Sequence, residues 1–285
     1  MARTSSARGI LHRVNTAPQT ALNGWPFVRF KARIDLLRFL MGIGYERAIE
    51  YAWIFRELQA RPDQRIIDVG SASSVFPLYL HAVAGAAVDC VDFDRSVLKL
   101  TGYAEKCGFA ESLRNGRLVI QQISTLPLPY PDEHFDGLSC VSTIEHSPED
   151  SDTRSLLELM RVVKKGGRLA FSVPIATRHA DVYVNSDVYD RKFGGAPVFY
   201  ERHYDSKSIH ERLIGPSGAT LLSLEAFGEP GFEFGRRVAY HKWMGLGGLL
   251  KPLRWTMPWF AHRFIKPVAL ERPPLRSFCC FVLKK

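Results

Sequence analysis

The sequence predicts an α/β fold, a doubly wound, mostly parallel seven-stranded sheet with N-terminal helices before it and an insert late in the chain. Three observations predict it. Short apolar runs alternate with segments of helical period from Arg65 to Ala226, and strands alternating with helices pair in parallel through crossovers. The first two runs end in acidic and small residues, Asp68-Val69-Gly70-Ser71 and Val91-Asp92, where such sheets hold their ligands. Hydrophobic residues make up 46% and charged residues 24% of 285, the balance of a soluble globular protein with a full core.

The elements follow in order. Residues 1–28 carry arginines and serines without an apolar stretch. A flexible basic tail is expected there in preference to a presequence of mitochondrial type, and a secretory signal is not. Residues 29–64 form a helical cap. Ile34, Leu37, Leu40 and Met41, then Ala48, Tyr51, Ala52 and Ile54, recur at helical spacing, which predicts two helices parted at Gly42–Gly44. Residues 65–230 make the α/β core. Strands are expected at 65–69, 88–91, 117–123, 135–141, 168–173 and 220–226, and helices at 75–84, 96–107, 152–163 and 204–213. Residues 231–276 exceed any ordinary hairpin loop and constitute an insert. Residues 277–285 then carry the final strand, Phe278–Leu283.

Charge divides along the same lines. Residues 1–64 carry a net +5, residues 65–230 a net −5 and residues 231–285 a net +9, so the basic character belongs to the additions. Five cysteines, Cys90, Cys107, Cys140, Cys279 and Cys280, have no metal-ligand spacing. They fit buried reduced thiols of a cytoplasmic protein, with no metal expected. Nothing reads as a membrane-spanning helix.

Asp92 stands 22 residues after Gly70, and a carboxylate there accepts both hydroxyls of a ribose, while small residues after the first strand let the backbone approach the ligand. The dinucleotide fingerprint GxGxxG is missing, which disfavours a nicotinamide dehydrogenase. Asp68 places a negative charge inside the turn and suits an ammonium better than a phosphate. A cationic, nucleoside-bearing cofactor follows.

Four segments then carry a resemblance: Asp68-Val69-Gly70-Ser71-Ala72-Ser73-Ser74, Leu128-Pro129-Tyr130-Pro131-Asp132-Glu133-His134-Phe135-Asp136, Ser142-Thr143-Ile144-Glu145-His146, and Arg161-Val162-Val163-Lys164-Lys165-Gly166-Gly167. In this order they resemble the D-x-G-x-G-x-G, LPFPDxxFD, xLEH and RVLKPGG segments of class I S-adenosylmethionine-dependent methyltransferases of the methyltransferase-11 type, over roughly residues 60–175. The resemblance implies the Rossmann-like methyltransferase fold and S-adenosyl-L-methionine as cofactor. It implies that Asp68 and Gly70, with Ser71, Ala72 and Thr143 nearby, hold the methionine end. Asp92 would take the ribose, Phe93 flank the adenine, and Gln122 or Ser124 meet its amino group. Ala72 and Ser74 depart from the family's glycines; each adds a Cβ, and Ala72 prefers a negative φ.

Methyl transfer from a sulfonium is an in-line displacement, so positioning dominates and a base serves acceptors that must lose a proton. His146 is the candidate catalytic base by its position after the fourth strand and its ordinary pKa; packing of the loop is the other reading. Glu145 reads as a hydrogen-bonder to the cofactor loop. Tyr200-Glu201-Arg202-His203-Tyr204 reads either as a lining of the acceptor pocket or as a solvated helix start. Tyr51 and Trp53 either close over the cofactor or, the preferred account, pack in the core.

The expected function is methyl transfer to a hydroxyl of a small-molecule, sugar or lipid-linked saccharide acceptor. A non-catalytic S-adenosylmethionine-fold binding module, suggested by Ala72 and Ser74, and an RNA methyltransferase, suggested by the charge, are the alternatives. No nucleic-acid motif supports the latter. The insert mixes Trp243, Trp255, Trp259 and Phe260 with Lys251, Arg254, Arg263 and Lys266. It is expected to act either as an acceptor-site lid or as a peripheral contact with anionic membrane or a lipid-linked acceptor.

Overall fold

The computed structural model describes residues 23–123, 126–189, 191–235, 237 and 251–285, with the backbone alone at 251 and 252. Ten strands run along them: β1 (Arg65–Val69), β2 (Ala87–Asp92), β3 (Leu118–Gln122), β4 (Phe135–Val141), β5 (Val163–Ile175), β6 (Ala180–Val184), β7 (Val198–His203), β8 (Thr220–Gly228), β9 (Lys266–Val268) and β10 (Ser277–Lys284). Eight of them form one sheet in the order β3-β2-β1-β4-β5-β10-β8-β9, and β6 pairs with β7 in a separate hairpin. From β3 to β5 all neighbours are parallel, while β10 is antiparallel to both β5 and β8. The winding reverses between β1 and β4, so the crevice for a ligand opens beyond their carboxyl ends.

The sheet has eight strands where seven were expected. The eighth, β9, comes from inside the insert, where Lys266, Pro267 and Val268 pair with Gly228, Phe227 and Ala226. Three residues with a proline carry too little period-two signal to be read as a strand. The β6–β7 hairpin was also unread. Tyr200–His203 belongs to β7 and does not open a helix. The helix starts at Ser206, where Asp205 accepts from the Ser208 backbone and completes a capping box; a cap of this kind fixes the start more strongly than apolar spacing.

The helices are α1 (Trp25–Lys31), α2 (Leu36–Leu40), α3 (Arg47–Leu58), α4 (Phe76–Ala84), α5 (Lys99–Lys106), α6 (Ala110–Arg114), α7 (Ser151–Val162), α8 (Ser206–Ser208), α9 (Gly215–Ser217) and α10 (Met257–Phe264). A π turn, Ile209–Ile214, joins α8 to α9. Three helices thus precede β1 where two were expected, and the first begins at Trp25, inside the stretch expected to be a flexible tail, because Phe27 and Val28 are buried in the core. Asp35 accepts from the Arg38 backbone at 2.7 Å and starts α2 after a break, as an aspartate N-cap does.

Alternate residues of the strands feed a core on each face. Phe278, Cys280 and Val282 of β10 join one core; Cys279, Phe281 and Leu283 join the other, as the pleat requires. The vicinal cysteines therefore face apart, and all five cysteines are free and buried. Helix α3 lies on the first face. Its carboxyl end holds Arg168 through the Glu57 carbonyl at 2.7 Å, and its amino end stands over the carboxyl ends of β4 and β5.

The helical cap and the insert pack on each other. The Trp255 ring lies 6.0 Å from Trp25 and 5.9 Å from Phe39, and the Phe234 ring lies 5.3 Å from Tyr45. Gly42 permits the contact: with φ +52°, it brings its Cα so close that a Cβ would stand 2.2 Å from the Arg254 backbone. Below, Glu229 accepts from the Tyr45 hydroxyl and the Gly235 backbone.

Candidate active site

The turn after β1 is built around Asp68. Its buried carboxyl accepts from Ser139 Oγ and Ser71 Oγ, each at 2.6 Å. Burial pushes the group up to about 6, while the two hydroxyls lower it and Asp92 raises it. Gly70, at φ +81°, lies against Thr143: a Cβ here would meet Thr143 Oγ1 at 2.0 Å. Only glycine accommodates both the backbone angle and that contact.

Ala72 takes φ +42° in spite of its Cβ. Its N–H donates to Asp92 Oδ2 at 2.7 Å, and Asp92 Oδ1 accepts from the Asp94 backbone at 2.8 Å. Those bonds span the ends of β1 and β2 and aim the carboxyl. Burial raises Asp92 from its ordinary value, against the backbone donors that lower it. Next to it the Phe93 ring is 49% exposed at the rim, and Gln122 Nε2 donates to the Phe93 carbonyl at 3.0 Å. Asp68, Gly70, Ser71, Ala72, Asp92, Phe93, Gln122 and Thr143 therefore gather at the carboxyl ends of β1 to β4. Ser124 lies outside the described residues.

Helix α3 closes this end of the sheet. The Tyr51 hydroxyl shares a hydrogen bond with Ser74 Oγ at 2.9 Å, so Tyr51 reaches the turn. Trp53, on the same helix, is fully buried in the core. Glu50, also buried, accepts from Ser142 Oγ and Ser172 Oγ at 2.8 Å each and pairs with Arg47. Arg47 donates in turn to Ser142 Oγ at 2.7 Å. Arg47, Glu50 and Ser172 belong to no motif in the sequence, and Ser142 stands there only as the first residue of the segment that resembles xLEH; the one available signal was a glutamate within a helix otherwise apolar on its buried side.

His146 stands in a 3-10 turn, Ile144–His146. Its Nδ1 lies 2.8 Å from the Tyr200 carbonyl. A carbonyl only accepts, so Nδ1 carries the proton and Nε2 keeps its lone pair in the neutral ring. Burial lowers the pKa of His146, while the Tyr200 carbonyl and Glu201 raise it. The rings of Tyr189 and Tyr200 lie 5.3 Å from the imidazole, and Arg191 donates to its backbone carbonyl at 3.3 Å. The neighbouring Glu145 is fully buried, and burial raises its carboxyl far above the ordinary range.

The cluster at 200–204 splits. Tyr200 lies against His146 and Glu201 pairs with His203 at 2.8 Å, whereas Arg202, 2% exposed, lies in an ion network with Asp152 and Asp181. Asp152 also accepts from the Tyr204 hydroxyl and Arg212, both at 2.9 Å. This network clamps the β6–β7 hairpin to α7 and so holds the Tyr200 carbonyl against His146.

A model of the methyltransferase domain matches residues 67–171. The chain is 27% identical over 248 residues to a ubiquinone/menaquinone biosynthesis C-methyltransferase of Ectopseudomonas mendocina, across 83% of this chain and 85% of that one. It is 26% identical over 158 residues to a sterol 24-C-methyltransferase of Gibberella zeae, across 54% of this chain and 39% of that one. The chain spans about half the length of several curated relatives it matches. Among solved structures, a geranyl diphosphate methyltransferase in complex with SAM superposes with a TM-score of 0.52 at 10% identity, covering 84% of this chain and 86% of that one. At that identity the likeness is one of fold.

Proposed function

We propose that the chain, whose residues 67–171 match the methyltransferase domain, transfers the methyl group of S-adenosylmethionine to a small-molecule acceptor deprotonated by His146. The residues present fit that cofactor. Asp68 is a buried carboxyl whose hydrogen-bond partners among the described residues are hydroxyls, and it would hold the ammonium of the methionine end. Gly70 and Thr143 would shape the floor, Asp92 would take the ribose hydroxyls, and Phe93 and Gln122 would border the adenine. Bound there, the sulfonium supplies an electrophilic methyl for in-line displacement. The protein's own part is to orient both reactants and to accept the acceptor's proton.

The observation that carries this reading is the Nδ1–Tyr200 hydrogen bond, which leaves His146 Nε2 as a base. Its lowered pKa keeps the ring neutral at pH 7. For the acceptor we favour a hydroxylated ring, such as a quinol bearing an apolar chain, over the sugar or lipid-linked saccharide hydroxyl expected from the sequence. The aromatic rings of Tyr189 and Tyr200 beside His146 support this, as does the likeness to a relative named for quinone C-methylation. Loss of the hydroxyl proton to Nε2 would place electron density on the oxygen and the adjacent ring carbon; methylation at that carbon, the favoured acceptor, would release S-adenosylhomocysteine, and loss of the carbon's own proton would restore the aromatic ring.

Methylation of a demethylated quinol, followed by mass spectrometry, tests the proposal. His146→Ala should cut turnover by about 10²–10⁴-fold with calorimetric affinity for S-adenosylmethionine unchanged. The wild-type rate should fall as pH drops below the ordinary histidine range, and that acid limb should vanish in the variant. Near-normal turnover in His146→Ala would return the histidine to a role in loop packing. Cofactor binding without transfer to any acceptor would favour the non-catalytic module.

A further inference from the structure

The helical cap and the insert share an outer face with an unusual composition. Leu36 and Leu37 of α2 are 70% and 62% exposed, Leu253 is 51% exposed and Trp259 of α10 is 58% exposed. These side chains sit on neighbouring elements: Trp255, between Leu253 and Trp259, packs on Phe39 of α2 and Trp25 of α1. Scattered apolar side chains are ordinary on a surface, but large ones on packed neighbours form a patch.

Charge accompanies the patch. Residues 25–41 and 251–265 together hold seven Lys/Arg and one acid, Asp35. That acid is taken by the α2 cap and by Lys106, 3.2 Å away. Arg29, Arg33 and Arg263 are exposed. The face also adjoins the site. In α1, the Phe27 ring lies tilted 5.5 Å from Tyr51, whose hydroxyl bonds Ser74, and the chain runs six residues beyond α2 before it enters α3 at Arg47.

From this geometry we infer that the α1–α2–α10 face docks on an anionic lipid surface. Leucines and a tryptophan enter the headgroup boundary while arginines meet the lipid charge. A nucleic acid or an acidic protein would account for the arginines but leave the exposed leucines unexplained. Trp243 of the insert lies outside the described residues.

Co-sedimentation with phosphatidylcholine vesicles, with and without phosphatidylglycerol, tests this. The test reads binding and not turnover, so it stands apart from the fate of the catalytic reading. Wild-type protein should pellet with phosphatidylglycerol vesicles at low salt, much less at high salt, and little with phosphatidylcholine alone. Leu36→Ser/Leu37→Ser/Leu253→Ser/Trp259→Ser should bind at least about tenfold more weakly, as should Arg29→Gln/Arg33→Gln/Arg263→Gln, with melting temperature and cofactor affinity kept. The inference is overturned if wild-type protein ignores phosphatidylglycerol vesicles at low salt, or if the serine variant binds as tightly. A dimer in light scattering that the serine variant dissolves would likewise overturn it, by giving the face to a second copy of the chain.

Discussion

Asp68 shows how much a single buried carboxyl can decide. Two hydroxyl donors solvate it, yet burial dominates and pushes it up to about 6. Without ligand, the fold therefore favours the protonated form. That preference contributes fully below the ordinary carboxylate value and is lost as pH rises toward 6. A cationic ligand favours the opposite form, so binding is linked to release of the proton. Affinity for S-adenosylmethionine should strengthen between pH 5 and 7 by up to about tenfold per unit below the shifted value. Calorimetry across that range checks it, and Asp68→Asn should bind weakly with no such slope. Ala72 makes a related point. The sequence predicts that its Cβ resists the family's turn, yet the structure holds it at φ +42° because its N–H is anchored by Asp92. The strain is kept where the turn meets the ligand crevice.

At the scale of the element, the β6–β7 hairpin decides whether His146 is a base or a bystander. It supplies the carbonyl that sets the tautomer, and its own place depends on the Asp152–Arg202–Arg212 network. Breaking a buried pair by removing one partner leaves an uncompensated charge. Asp152→Ala should cost ~3–5 kcal/mol in urea unfolding and release the hairpin. Turnover should fall further than stability alone explains, with the acid limb of the pH profile displaced because the Nδ1 acceptor has moved. If Asp152→Ala keeps a normal profile, the hairpin does not position the histidine. The hairpin was not legible in the sequence: its buried arginine reads as a solvated charge, and its edge residues alternate too weakly to outweigh the helical spacing that follows.

Over the whole molecule, the chain closes by bringing its two basic flanks together. The cap and the insert meet at Gly42 against Arg254 and Trp255, at Trp255 against Trp25 and Phe39, and at Phe234 against Tyr45. Residues about 200 apart in sequence thus form one layer over the sheet. Gly42→Ala should disrupt that layer, since its Cβ would fall 2.2 Å from backbone at a positive φ. A loss of ~2–4 kcal/mol is expected from strain and overpacking together. Hydrogen exchange should show the loss of protection concentrated in the residues around α2 and α10, with β1, β2 and β4 still protected. No helix among the described residues is long and apolar enough to cross a membrane.

By itself the sequence determined the α/β class, the parallel run of strands and the gathering of Asp68, Gly70, Asp92 and Thr143 at one end of the sheet. Those features are local. Apolar periodicity fixes each element, right-handed crossovers fix their sides, and residues just after parallel strands must meet at one edge. Only the tertiary structure decided the rest: that Glu50 and Arg47 reach Ser142 and Ser172, that Tyr200 sets the proton on His146, that β9 extends the sheet, and that cap and insert share a face. Each of these is a contact between segments far apart in the chain. Its energy depends on burial and distance in the assembled fold, and neither is written in the spacing of neighbouring residues.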